Sequence, residues 1–269
     1  MKLQHLLTPK VTGYLSPFVI AGALLLSACT KSPLDAPMLM GKGQEAFALD
    51  MAERKEKMRP LEVEAFNWAV DGLSYEQLIK EVPNKSPREV IRLAISNSKA
   101  IYDKEFPENE KAVVEYETVR DELKKITTSD LTLHNQKTFF GHMPKLKFSA
   151  DNNSKFDIGS MYWIASLYIN GSDKPEARRQ LSMFYKNSKP LAMKAGNSYT
   201  ESHNIGFVSG DPEWTSQTVL QASTNEVRVQ PYLEKILDLD GNSILPPSPF
   251  AKRDELKVRA ELHKRFAGI

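Results

Sequence analysis

Apolar residues between positions 44 and 128 recur at intervals of three and four, which is the period of an α-helix. This spacing predicts short helices over 44–57 and 61–70. A third short helix is predicted to start at a cap on Ser74 and to end before Pro83, because the residue preceding a proline is disfavoured in helical conformation.

The clearest helix start in the chain is Ser86-Pro87-Arg88-Glu89. Serine at the N-cap, proline in the first turn and glutamate three residues after the serine form a capping box. The helix that follows is predicted to end at Pro107, and a second one is predicted to reach about Lys125. Two amphipathic helices with a short link predict an antiparallel helical hairpin. Their apolar stripes are Val90, Ile91, Ala94, Ile95, Ile101 and Tyr102, then Ala112, Val113, Tyr116, Leu123 and Ile126.

After Asp130 the period changes from helical to alternating. Lys145–Ala150 alternates with period two, and Ser160–Ile169 is rich in aromatic and apolar residues around Trp163, which is interpreted as core. Further strands are predicted over 180–185, 200–208, 217–222 and 226–237, the last one broken at Pro231. About seven short strands with frequent turn signals indicate an immunoglobulin-like antiparallel β-sandwich.

The chain ends with a proline-rich linker at 246–249 and a highly charged helix over 251–266. The thin apolar stripe of this helix, Leu256, Val258, Leu262 and Phe266, predicts that it lies on the surface of the body or on a partner. The predicted fold class is therefore α+β, with a helical region at 44–128, the sandwich at 129–245 and a linker with a surface helix at 246–269.

The first 28 residues have the composition of an export signal. Lys2 and Lys10 precede an apolar run over 14–28, which is shorter than the roughly 20 residues that a spanning helix needs. The run ends in Leu26-Ser27-Ala28-Cys29, which resembles the lipobox of bacterial lipoproteins. The alternative is a chance cysteine after a plain signal peptide.

The lipobox resemblance implies cleavage before Cys29 and attachment of lipid to its thiol. The segment 29–43, with Pro33, Pro37, Gly41 and Gly43, then forms a flexible tether between the lipid and the body. Thr30 stands where an aspartate would retain such a lipoprotein at the inner membrane, so the resemblance implies the outer membrane, facing the periplasm.

Charge and cysteine content exclude several classes of function. The chain has 36 Lys plus Arg against 34 Asp plus Glu, and without Lys2 and Lys10 the balance is 34 against 34. A nucleic-acid partner is not expected, because its binding requires a basic surplus. The sequence contains no glycine-rich phosphate-binding loop, so nucleotide binding is not predicted. The single cysteine forms neither an internal disulfide nor a thiolate zinc site.

The remaining reactive residues give no catalytic, metal or cofactor assignment. His134 and His142 are the one pair of histidines that two adjacent strands could bring together to bind a metal ion. Structural roles for both are the favoured interpretation. Ser198, His203 and Asp211 form only a forced triad, since no G-x-S-x-G elbow is present. Asp238–Asn242 superficially resembles a calcium loop, but Ser243 and Pro249 occupy its sixth and twelfth positions, so a β-turn is predicted. Trp214, on a predicted loop, is a better candidate than Trp163 for contact with a partner. A structural role is nevertheless the favoured interpretation for Trp214 as well.

Residues 139–245 resemble the C-terminal domain of an uncharacterised family of bacterial lipoproteins. The matching segments are Phe139-Phe140-Gly141, Asn152-Asn153-Ser154, Gly159-Ser160-Met161-Tyr162-Trp163 and Leu237-Asp238-Leu239-Asp240-Gly241-Asn242. The resemblance implies a lipobox, an N-terminal helical part and a sandwich, and it carries no activity.

These observations together predict a non-enzymatic, lipid-anchored envelope protein that contacts the membrane through Cys29 and another envelope component through its body. Two alternatives stay open. One is a cell-wall-acting enzyme whose site is assembled from distant residues, and the other is a carrier of lipids or small molecules, which requires an apolar cavity.

Overall fold

The computed structural model describes residues 32–185 and 192–269. Leu26, Ser27, Ala28 and Cys29 lie outside the described residues, as do the rest of the predicted signal peptide and the start of the predicted tether. The described chain combines α-helices with two antiparallel sheets and ends in a helix, which confirms the mixed α+β class. The chain divides into two compact units, Met1–Arg92 and Leu93–Ile269.

The first unit contains three short helices, α1 (Gln44–Lys57), α2 (Pro60–Val70) and α3 (Tyr75–Glu81). The predicted cap of α3 is confirmed, because the Ser74 hydroxyl accepts a hydrogen bond from the Gln77 amide at 3.3 Å. The first turn of the long helix α4 (Pro87–Leu123) also lies in this unit. Its capping box is confirmed, with the Ser86 amide donating to the Glu89 carboxylate at 2.8 Å.

Residues 33–42, which the sequence assigns to a flexible tether, pack into the first unit. Leu34 is fully buried, and its carbonyl accepts a hydrogen bond from the Arg88 amide. The Arg54 guanidinium donates to the carbonyls of Ala36 and Pro37 at 2.6 and 2.8 Å. Prolines lack an amide donor, so the side chain of an arginine from α1 provides the hydrogen bonds that these carbonyls need. The amino-acid composition of the segment does not predict this contact.

The predicted helical hairpin is wrong, because α4 is one helix of 37 residues with Pro107 inside it. A proline in a helix removes the hydrogen bond to the carbonyl four residues earlier, here that of Asp103. Both Asp103 and Pro107 are exposed, so water can solvate that carbonyl. The chain has no glycine between Gly72 and Gly141 that would form a tight turn, and the helix continues through the proline.

The second unit contains six named strands in two three-stranded antiparallel sheets. Their bounds are β1 Ile126–Thr138, β2 Gly141–Asn152, β3 Ser160–Ile169, β4 Ala177–Phe184, β5 Ser198–Asn204 and β6 Asn225–Pro231. The strand orders are β1-β2-β5 and β4-β3-β6. The two sheets share one apolar core, in which Phe148 meets the fully buried Trp163 at a ring-centroid distance of 5.3 Å, so the prediction of Trp163 as core is confirmed.

Three predicted strands differ from the structure. The strand predicted over 200–208 ends at Asn204, so Phe207 and Val208 lie in the loop that follows. Residues 217–220 form a short helix, α5 (Gln217–Leu220), because the Ser216 hydroxyl caps the Val219 amide and an isolated apolar run does not distinguish a strand from a helical turn. The strand predicted over 226–237 ends at Pro231, and Leu237 then forms an isolated bridge to Ser160.

The C-terminal helix α6 (Phe250–Phe266) is confirmed and packs on the part of α4 that lies in the second unit. Arg259 donates to the Ser98 hydroxyl at 3.1 Å, and Lys252 pairs with Glu105 at 2.8 Å. Farther along α4, the rings of Tyr116 and Phe250 meet edge to face at 5.3 Å.

Candidate functional site

The histidines that the sequence suggested as a metal pair lie on opposite faces of one sheet. His134 is paired with Lys145, whereas His142 is paired with Lys137. Positions 134 and 137 differ by an odd number along β1, and side chains alternate between faces along a strand. His134 and His142 therefore do not converge, and no group of three or more His, Cys, Asp or Glu side chains able to hold a metal ion occurs among the described residues.

The forced triad is not assembled either. Asp211 is ion-paired with Arg179 at 3.0 Å, and Ser198 hydrogen-bonds to Asp151. The calcium-like segment forms a turn in which the Asp238 carboxylate accepts the amides of Asp240 and Asn242 at 2.9 and 2.8 Å. These backbone hydrogen bonds lower the pKa of Asp238. Trp214 is buried in the core and offers no surface to a partner.

A buried polar cluster, formed by Tyr185, Glu201 and His203, lies between the sheets. The Tyr185 hydroxyl donates to one Glu201 carboxylate oxygen at 2.8 Å, and the other oxygen lies 3.8 Å from the ring nitrogen Nε2 of His203. The His203 ring stacks on Phe148 with centroids 5.8 Å apart. Glu201 and His203 share a face because they are two residues apart on β5.

Burial moves both ionisable groups of this cluster toward their neutral forms. Desolvation raises the pKa of Glu201, an effect that the Tyr185 hydrogen bond partly offsets, and desolvation lowers the pKa of His203. The pKa of Tyr185 is raised by burial and by the neighbouring carboxylate. The 3.8 Å between His203 Nε2 and the Glu201 carboxylate is too long for a hydrogen bond. The side chains of His203 and Glu201 are only 13% and 5% exposed, so the pair presents no open surface to a substrate.

A second feature is an exposed aromatic surface at one end of the β1-β2-β5 sheet, which we call the aromatic tip. It consists of Phe139 and Phe140 in the turn between β1 and β2, with Phe207 and Val208 in the loop after β5. Phe139 is 95% exposed, Phe140 65% and Phe207 85%. Burial of large apolar side chains away from water lowers the free energy, so a cluster of exposed aromatic rings is typical of a binding surface.

The backbone places the two parts of the aromatic tip side by side. A Cβ atom on Gly141 would lie 3.9 Å from the Ser209 carbonyl, and one on Gly210 would lie 2.3 Å from the His142 carbonyl. Gly210 is also at φ +78°, a conformation that side chains disfavour. The loop after β5 therefore fits closely against the β1–β2 turn because residue 210 has no side chain.

Hydrogen bonds of the Thr138 side chain close the turn between β1 and β2. The Thr138 hydroxyl donates to the Gly141 carbonyl at 3.0 Å and accepts the Phe140 amide at 3.2 Å. The Phe139 and Phe140 rings contact each other edge to face at 5.2 Å. The exposed rings are consequently presented on a hydrogen-bonded turn.

The two chain segments that form the aromatic tip carry lysines and no acidic residue. Between Asp130 and Asp151 the chain has three lysines, Lys137, Lys145 and Lys147, and no acidic residue. All three lysines are exposed. Residues 202–210, which supply the other half of the surface, also contain no acid, and Asp211 beyond them is ion-paired with Arg179.

Sequence reasoning missed both features, although each had a signal. Phe139-Phe140-Gly141 counted only as a point of family resemblance, yet two phenylalanines directly before a glycine that ends a β-turn have no core to enter. The alternation of Tyr199, Glu201 and His203 places two polar rings and one acid on the same face of a strand, but a period of two does not say which face is buried.

An open groove of about 470 Å³ lies where β1 and β6 approach, lined by Lys124, Ile126, Thr127, Thr128, Val229, Gln230, Pro231 and Leu233. Its lining contains neither a carboxylate nor a histidine, and its one lysine, Lys124, is ion-paired with Asp121 at 2.7 Å. Within the described ranges, no helix is both long and apolar enough to cross a membrane. No protein-family model matches the chain, and no curated protein and no solved structure matches it either.

Proposed function

We propose that this protein is a non-enzymatic binding module of the bacterial cell envelope. In this proposal the chain is anchored by lipid on Cys29 to the outer membrane, facing the periplasm, and its second unit is an immunoglobulin-like sandwich. The observation that carries the binding role is the aromatic tip, where Phe139, Phe140 and Phe207 are 95%, 65% and 85% exposed. Exposed rings on a hydrogen-bonded turn favour association with another envelope component.

The short distance between Cys29 and the folded body supports an anchoring role. Leu34 is fully buried, and an extended chain covers at most about 3.6 Å per residue, so the five steps from Cys29 to Leu34 span at most about 18 Å. A lipid on Cys29 therefore keeps the first unit close to the membrane surface, in contrast to the longer tether that the sequence predicts.

The catalytic alternative has less support. The buried polar cluster contains the acid–histidine pair that an enzyme would need, but burial favours the neutral form of each member and keeps both side chains away from solvent. A general base must reach the proton that it removes from a substrate. The cluster fits a structural role within the second unit better than a catalytic one.

Substitution of the cysteine tests the anchor. We expect wild-type protein in cells to incorporate radioactive palmitate and to sediment with membranes, and Cys29→Ser to lose both properties, because the chain has no other thiol. The matched control is Cys29→Ser combined with Ser32→Cys, which restores a thiol outside the Leu26-Ser27-Ala28-Cys29 context. Palmitate on Cys29→Ser, or on the control, contradicts lipobox-directed lipidation.

A further inference from the structure

We propose that the aromatic tip inserts into the interface of an anionic phospholipid bilayer. This inference rests on the proposed function, in which the aromatic tip is the binding surface, and it names the component bound. Its argument combines the shape of the surface, the depth at which its lysines lie and the absence of acids from the two segments that form it.

The shape of the aromatic tip favours a deformable partner. Strand β5 pairs with β2 only as far as Lys145, so the last residues of the β1–β2 hairpin extend beyond the neighbouring strand. Phe139 stands at the end of this projection and is 95% exposed. Such a projecting ring makes little contact on a flat protein surface, whereas the boundary between headgroups and acyl chains closes around it.

The lysines lie at suitable depths behind the rings. Along a strand each residue rises about 3.3 Å, so Lys137 lies about 7 Å behind Phe139. A headgroup layer is roughly 5–8 Å thick, so rings at the acyl boundary place the Lys137 ammonium among the phosphates. Lys145 pairs with His134, about 13 Å behind Thr138, and stays within roughly one Debye length of the headgroups.

The sign of the charge selects the lipid. No acid occurs from residue 131 to residue 150, and none occurs from 202 to 210, so an approaching anionic surface meets no repulsive carboxylate in either segment. Lysines near an anionic membrane each strengthen binding about fivefold. We infer that anionic phospholipid is preferred over a neutral one.

Vesicle binding tests this inference on the mature chain, residues 29–269, carrying Cys29→Ser so that no acyl chain contributes. We expect it to cosediment with vesicles of phosphatidylglycerol and phosphatidylethanolamine more than tenfold better than with phosphatidylcholine vesicles. Phe139→Ser with Phe140→Ser should reduce binding at least tenfold. Phe184→Ser is the matched control, because Phe184 is also exposed but lies on β4, and it should bind as the parent does.

A second measurement reports insertion directly and does not depend on weakened binding. Since Cys29→Ser removes the single cysteine, Phe140→Cys provides a unique site for a polarity-sensitive dye. We expect a blue shift of this dye with anionic vesicles and none for a dye at Val258→Cys on α6. Equal shifts at both positions, or none at position 140, overturn the inference.

The outcomes separate this inference from the proposed function. A photo-reactive residue at position 140 in intact cells that crosslinks to a protein and not to lipid overturns membrane insertion but keeps a binding role in the envelope. Vesicle binding by the unacylated chain, together with palmitate labelling of Cys29→Ser, supports the inference and contradicts the proposed anchor. Equal binding to neutral and anionic vesicles overturns the lipid selectivity.

Discussion

At the scale of single residues, the polar side chains of β5 show how burial changes chemistry. Glu201 faces Phe148 across the β2–β5 pairing, and the Tyr185 hydroxyl is its hydrogen-bond donor at 2.8 Å. Burial removes water from around the ionised carboxylate and disfavours it relative to the neutral acid, which is why the pKa of Glu201 is raised. The folded state therefore binds a proton at Glu201 more tightly than the unfolded chain does.

Replacing Glu201 by glutamine should change the pH dependence of stability. The pKa of Glu201 in the folded protein lies above its ordinary value of 4.5, so the contribution of Glu201 to the unfolding free energy falls as pH rises from about 4.5 through the raised pKa. Glu201→Gln keeps an acceptor for Tyr185 and carries no charge. We expect its stability relative to wild type to increase with pH across this window, by about 1.4 kcal/mol for each unit by which the pKa is raised.

The measurement is urea unfolding of both proteins between pH 4 and pH 8. His203 contributes the opposite slope, because its lowered pKa costs stability as pH falls below its ordinary value of 6.5, and this slope is present in both proteins. Glu226→Gln is the control, since Glu226 is exposed on β6 and the hydrogen bond from Arg228 lowers its pKa. Parallel stability curves for wild type and Glu201→Gln contradict the interpretation.

At the scale of elements, the helix starts and the central strands were predictable, and the breaks between elements were not. Ser74 and Ser86 cap their helices through local hydrogen bonds that the sequence spells out, and β3 has the predicted bounds of 160–169. The sequence predicts that the helix ends at Pro107, because sequence alone does not reveal that Pro107 and Asp103 are exposed to water. Strand β1 was missed because most of its side chains are exposed, which leaves no alternating apolar signal.

Replacing Pro107 by alanine should stabilise α4. An interior proline costs about 3 kcal/mol relative to alanine, and the exposed position gives a new methyl group no clash. We expect Pro107→Ala to raise the unfolding free energy by about 1–3 kcal/mol without loss of helical circular dichroism. Pro87→Ala, at the first position of the same helix, should change stability little. A decrease for Pro107→Ala would indicate that the proline forms a required turn.

At the scale of the whole molecule, the candidate site was less predictable than the fold. The mixed class and the antiparallel sheets follow from hydrophobic periodicity, whereas the aromatic tip depends on two turns that are distant in sequence and meet at Gly141 and Gly210. No local pattern around Phe139 indicates that Phe207 lies at the same end of the sheet. The packing of the C-terminal helix is also difficult to predict, because its highly charged sequence does not show which of its side chains are buried.

The last prediction concerns this helix. Phe266 is fully buried although 251–266 reads as a surface helix, while Val258 of the same predicted stripe is 60% exposed. If α6 is an integral part of the second unit, Phe266→Ala should cost about 3–5 kcal/mol of unfolding free energy, the loss typical of a buried phenylalanine. Val258→Ala, the control, should cost less than about 0.5 kcal/mol. Comparison of the two variants by thermal unfolding decides the matter, because a helix that merely rests on the surface would make them equal.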